Sequence, residues 1–167
     1  MKKLVVFFVM VLFSILVTSC ASAQPTAEEK ERMTQDIEGY ELPIKPTDST
    51  AVVYVIRPNK AVVGLVPFKV SVDDVAEKLS NGSIVVYVLN PGEHNLYVKA
   101  ENTNLIPFTA DAGQVYFYLV HAKWSIYGRA ETEPVDEIYG TYQIKQLYDM
   151  ASTAVVNLVD ENQETIQ

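Results

Sequence analysis

The chain predicts a mainly β protein: an antiparallel β-sandwich of about seven short strands with a C-terminal helix packed on it. Three observations carry this reading. Short β-branched and aromatic runs recur from Ala51 onward, strong turn signals separate them, and the connections are too short for helical crossovers.

The first run, Ala51-Val52-Val53-Tyr54-Val55-Ile56, is continuous and ends at Arg57-Pro58-Asn59. Phe68, Val70 and Val72 then alternate with Lys69, Ser71 and Asp73, the period of a half-buried strand. Asp73-Asp74 turns the chain into a short strand ending at Leu79, and Asn81-Gly82 reads as a two-residue hairpin turn. Ile84-Val85-Val86-Tyr87-Val88-Leu89 is the second continuous run, and Asn90-Pro91-Gly92-Glu93 is turn-like. Leu96, Val98 and Ala100 alternate with Asn95, Tyr97 and Lys99; Phe108 and Ala110 lead to a turn at Ala112-Gly113; residues 115–120 are the third apolar run. Continuous runs mark central strands covered on both faces. After Arg129 the pattern changes: Pro134 suits the first turn of a helix over about 135–150, carrying a stripe of Ile138, Tyr142 and residues 144–147 that Gly140 weakens.

The N-terminus reads as an export signal. Lys2 and Lys3 precede an apolar stretch over residues 4–17, and Val17-Thr18-Ser19-Cys20 closes it. This resembles the bacterial lipobox, with Cys20, the chain's single cysteine, as the lipid-attachment residue. The apolar stretch is shorter than the roughly 20 residues of a membrane-spanning helix. Lipidation implies stable anchoring, since each buried methylene contributes about 0.8 kcal/mol. Ala21 stands where an inner-membrane retention signal has Asp, so Gram-negative sorting rules point to the outer membrane. The expected organisation is a signal peptide over 1–19, a lipidated stalk over 20–50, the sandwich and helix over 51–150, and a C-terminal tail over 151–167. Within the stalk, Thr26 to Glu29 has capping-box spacing for a short charged helix with little apolar face. As a flexible segment, that stalk would span roughly 30 Å.

Removing residues 1–19 from 167 leaves 148, enough for a substantial core, and moves the formal charge from −8 to −10. That balance argues against nucleic acid and against attraction to an anionic bilayer.

The order Val53-Tyr54-Val55-Ile56-Arg57-Pro58, Phe68-Lys69-Val70-Ser71-Val72-Asp73, Leu79-Ser80-Asn81-Gly82-Ser83, Leu89-Asn90-Pro91-Gly92-Glu93-His94 and Ala112-Gly113-Gln114-Val115-Tyr116-Phe117 resembles the DUF2846 family of small lipoproteins. The resemblance covers about residues 50–148. Asp73-Asp74 stands where that family often has Asp-Gly. It implies a sandwich on a lipid tether and brings no catalytic residues with it.

Chemistry is sparse. His94 and His121 are the only histidines, with no spaced carboxylates to complete a zinc site. There is no Gly-x-Ser-x-Gly and no glycine-rich phosphate loop. No catalytic residue, metal or cofactor is expected. Tyr54, Tyr87, Tyr97, Tyr116 and Tyr118 fall on strands, with Trp124 after them. Outward-facing, they would form an aromatic platform; otherwise they stabilise the sheet as cross-strand pairs. The leading expectation is a non-enzymatic envelope lipoprotein, a structural or accessory subunit acting through a protein partner. The alternative is a glycan- or peptide-binding module contacting its ligand through Trp124, Tyr116 and Tyr118.

Overall fold

The computed structural model describes residues 24–59, 66–123, 128–148 and 153–158. Nine strands and two helices occur among them: α1 (Ala27–Asp36), β1 (Ala51–Arg57), β2 (Phe68–Val72), β3 (Val75–Leu79), β4 (Ser83–Leu89), β5 (Gly92–Lys99), β6 (Thr103–Ala110), β7 (Val115–Lys123), β8 (Arg129–Val135), α2 (Glu137–Tyr148) and β9 (Thr153–Leu158). They form a five-stranded sheet, β8-β7-β1-β4-β9, packed on a four-stranded sheet, β3-β2-β5-β6. The sandwich expected from the sequence is the observed fold.

The continuous apolar runs are indeed central. Every residue of β1 is buried, and β4 is buried except at Val88. Alternate residues of these strands serve two separate cores. Val53, Val55, Val85, Tyr118 and Val120 meet Val70, Leu96 and Val98 between the sheets. Val52, Tyr54, Ile56, Val86, Phe117 and Leu119 point the other way, where Ile144 and Leu147 of α2 cover them.

Two features differ from the expectation. The smaller sheet is antiparallel throughout, but β1 runs parallel to β7 and β4 parallel to β9. The reason is that the turns carry the chain between sheets. Asn81-Gly82 links β3 of one sheet to β4 of the other, so it is a corner and not a hairpin. After each visit to the smaller sheet the chain returns to the larger one, and β7 enters beside β1 in the same direction.

The second difference is two additional strands, β8 and β9, at the edges of the larger sheet. Pro134 lies in β8, paired with Tyr118, not in the helix. A proline is tolerated there because an edge strand need not offer every N–H to a neighbour. Asp136 starts α2 instead, its carboxylate accepting from the Tyr139 N–H at 2.9 Å. β9 falls inside the segment expected to be a tail; Ala154, Val156 and Leu158 pack against the inter-sheet core.

The expected stalk is also largely folded onto the domain. Thr26 and Glu29 form the anticipated capping box, and α1 has no buried residue. Yet α1 packs beside α2, with Lys30 ion-paired to Asp136 at 2.5 Å. Beyond it, Tyr40, Leu42 and Ile44 pack against the same core as α2. Their apolar side chains complete the cover of the larger sheet, which a single 12-residue helix leaves partly open.

Gly140 explains how α2 comes so close. A Cβ built there would stand 2.4 Å from the Phe117 ring. The same residue that lowers helix propensity therefore permits contact with the sheet. Replacement Gly140→Ala gains about 1 kcal/mol of helix propensity but introduces an overlap costing about 1–3 kcal/mol. We expect net destabilisation in urea or thermal unfolding; a Gly140→Ala protein more stable than the parent would refute this packing.

Candidate functional site

Of the residues singled out from sequence, the tyrosines and histidines fall among those described. Cys20 and Trp124 lie outside the described residues. Tyr118 is buried between the sheets, 5.9 Å from the Phe108 ring. Tyr116 is half-buried beside the same ring at 5.8 Å, and its hydroxyl accepts from the Asp111 N–H at 2.9 Å. Tyr87 is fully buried and donates to the Val70 carbonyl at 3.1 Å, tying one sheet to the other. Tyr54 faces the opposite core, stacked on Phe117 with centroids 5.8 Å apart. Tyr97 alone among these five lies on the outer face of the smaller sheet, in register with Ser71 and Leu105. The tyrosines are thus distributed over three faces, and they stabilise the sheets as cross-strand and inter-sheet partners.

Both histidines are engaged structurally. Nδ1 of His94 lies 2.8 Å from Oδ2 of Asp73, and Nε2 lies 2.9 Å from the Asn90 carbonyl oxygen. A carbonyl only accepts, so Nε2 donates to it. Asp73 also accepts from the Asn95 N–H at 3.0 Å and adopts φ 51°. The left-handed position of this turn is thus Asp73, held by its own carboxylate, while Asp74 has no positive φ. His121 points Nε2 at Oε1 of Glu133, 3.1 Å away. Among the described residues no group of three His, Cys, Asp or Glu side chains could hold a metal ion.

Arg57, at the end of β1, is 1% exposed. Its Nη1 donates to the carbonyls of Val66 and Leu79, both at 3.0 Å, and its guanidinium lies 3.8 Å from the centroid of the Phe68 ring. Burial lowers its pKa, but an arginine stays charged. The side chain binds three segments into one corner.

Two surface features remain. An open groove of about 610 Å³ lies between residues 37–46, the start of β7 and α2, with Tyr40, Leu42, Val115 and Ile138 among its walls. Its rim carries Glu41 and Lys45, paired to each other at 2.7 Å. The second is the outer face of the smaller sheet. There Lys78 lies opposite Lys69, and Lys69 opposite Lys99, forming one row across β3, β2 and β5. All three are exposed, and none forms an ion pair among the described residues. Sequence reading placed Lys69 and Lys99 at solvent-facing positions without aligning them, because alignment requires the strand register.

Comparison with protein-family models found no match, and comparison with curated proteins found none. The class the fold defines is a mainly β, two-sheet domain with a helical layer on its larger sheet. It offers one open sheet face.

The hold on the N-terminal segment is pH-sensitive. The Tyr54 hydroxyl donates to the Ile44 carbonyl at 2.6 Å and accepts from the Ile44 N–H at 2.9 Å. Burial, foremost, pushes its pKa up to about 12 from 10.0. A folded pKa above the unfolded one means the contribution is intact below pH 10 and lost as pH rises through 12. Tyr87, raised by the same cause, acts in the same direction. Melting temperature should therefore fall between pH 10 and 12, with cleavage of residues 37–50 by protease increasing alongside. Tyr54→Phe should melt lower at pH 8 and show a shallower alkaline decline; an unchanged profile would exclude this clamp.

Proposed function

We propose that this protein is a lipid-anchored lipoprotein of the bacterial cell envelope, held through Cys20. It acts as a structural or accessory subunit by surface contacts, without catalysing a reaction. The observation that supports this most is the docking of residues 27–50 on the sandwich, through the Lys30–Asp136 pair and the Tyr54–Ile44 clamp. Only residues 21–26 separate Cys20 from α1, a stretch reaching about 20 Å at full extension. The domain would therefore sit against its membrane in a restricted orientation, which suits a subunit better than a freely ranging module. The outer membrane is the preferred location, on the Ala21 criterion. The His94 contacts with Asp73 and Asn90 support a structural role for that residue.

The glycan- or peptide-binding alternative, in the form that uses Tyr116, Tyr118 and Trp124 together, has less to support it. Tyr118 is 5% exposed and offers no ring face to a ligand.

Mass analysis of the N-terminal peptide from membrane-extracted protein tests the anchor: it should begin at a diacylated Cys20, and an N-terminus retaining residues 1–19 would overturn it. In-cell crosslinking with mass spectrometry tests the role. A specific partner in the native protein should disappear in Cys20→Ala; only monomer in both would count against the subunit reading.

A further inference from the structure

The row of Lys78, Lys69 and Lys99 lies across three neighbouring strands, with cross-strand partners directly opposite. Adjacent strands are about 4.8 Å apart, so the row spans roughly 10 Å. Like charges placed opposite one another destabilise a sheet. No acidic residue stands in this row, although Glu77 neighbours Lys78 along β3. Lys30, Arg32, Lys45 and Lys123, by contrast, are paired with Asp136, Glu28, Glu41 and Glu131. Edge protection, in which a lysine discourages pairing with another chain, accounts for Lys78 on β3. It does not account for Lys69 and Lys99, because β2 and β5 are interior strands.

From this arrangement we propose that the outer face of the four-stranded sheet binds an acidic glycan, a polysaccharide bearing carboxylates. The lysines supply the complementary charge. In the next row, Tyr97 lies in register between Ser71 and the exposed Leu105, giving an aromatic ring and a hydroxyl beside the cations. Lysine is depleted at the centre of protein–protein interfaces, which favours a polyanionic polymer over an acidic protein. The bilayer is disfavoured by placement. α1, through which the chain leads back towards Cys20, packs with α2 over the larger sheet, on the side of the sandwich away from the lysines. This last point alone rests on the anchoring proposed above; the face itself does not.

The test uses the full chain extracted in neutral detergent, with polygalacturonate as the acidic glycan and dextran as the neutral one. Polyglutamate and phosphatidylglycerol vesicles represent the two other anionic partners. Polygalacturonate should bind, weakening with added salt, and dextran should not. The triple variant Lys69→Gln, Lys78→Gln, Lys99→Gln should lose about tenfold in affinity, equivalent to about 1.4 kcal/mol. Its melting temperature should stay level or rise, since the substitutions relieve repulsion. Tyr97→Ala should weaken polygalacturonate binding without altering its salt dependence. Undiminished binding by the triple variant, or tighter binding of polyglutamate or vesicles than of polygalacturonate, would overturn the proposal. The mass of the N-terminal peptide reads the anchor separately, so either idea can fail alone.

Discussion

The architecture depends on burying β1 on both faces. Each residue from Ala51 to Arg57 is removed from solvent, so the strand needs a partner layer above and another below. Full burial of a large aliphatic or aromatic side chain contributes about 1.5–3 kcal/mol, which makes both layers worth assembling. The smaller sheet supplies one. The other is composite: α2 covers part of it, and Tyr40, Leu42 and Ile44 extend the cover. Close approach of that helix requires a residue without a side chain opposite Phe117, which is why Gly140 sits within α2. A segment expected to be a tether is thereby drawn into the fold by the same demand.

The chain path follows from serving two cores at once. Corners at Asn81-Gly82 and near Pro91 move the chain from sheet to sheet, and repeated returns create the parallel neighbours. The sandwich is then fastened by polar contacts at its margins. Arg57 joins the Val66 and Leu79 carbonyls at one corner. Where β6 meets β8, Asn102 receives the Ala130 N–H at 2.8 Å and donates to the Ala130 carbonyl at 2.8 Å. Asn104 donates to that same carbonyl at 2.9 Å. The amide side chain thus pairs with β8 as another strand would, satisfying edge groups whose isolation would cost about 1–3 kcal/mol each.

These relations explain what was readable in the sequence. A strand buried on both faces must be apolar at successive positions, so β1, β4 and β7 were visible as continuous runs. The first seven strands were recognisable from alternation and turns. β8 was not, because Arg-Ala-Glu-Thr-Glu-Pro-Val has a polar majority and only Ala130 buried. β9 lay hidden for a different reason: its pairing with β4 is parallel and distant in sequence, so no local turn announces it. The capping box at Thr26 was legible because it depends on residues three apart. The side on which each tyrosine falls was not, since Tyr54 and Tyr87 both lie within unbroken apolar runs, where no alternation distinguishes the faces. The lysine row required the register of three strands, which single-strand patterns do not contain.

Net charge conceals this last feature, because it averages over opposed surfaces. The helical layer exposes Glu28, Glu29, Glu31, Asp36, Glu38 and Glu137, whereas the far sheet exposes Lys69, Lys78 and Lys99 at one end and Asp73, Asp74 and Glu93 towards the other. Between them lie the inter-sheet core, about 10 Å thick, and the helix–sheet packing, of comparable depth. Charges on the two surfaces are thus separated by more than two Debye lengths at physiological salt, where that length is about 8 Å. Exposed charges at such separation are largely screened from each other, so the acidic helices do not cancel the cationic row. An approaching anion responds to the nearer charges, and a chain of formal charge −8 can still present a local cationic row. The two-sided burial of β1 is what holds those surfaces apart.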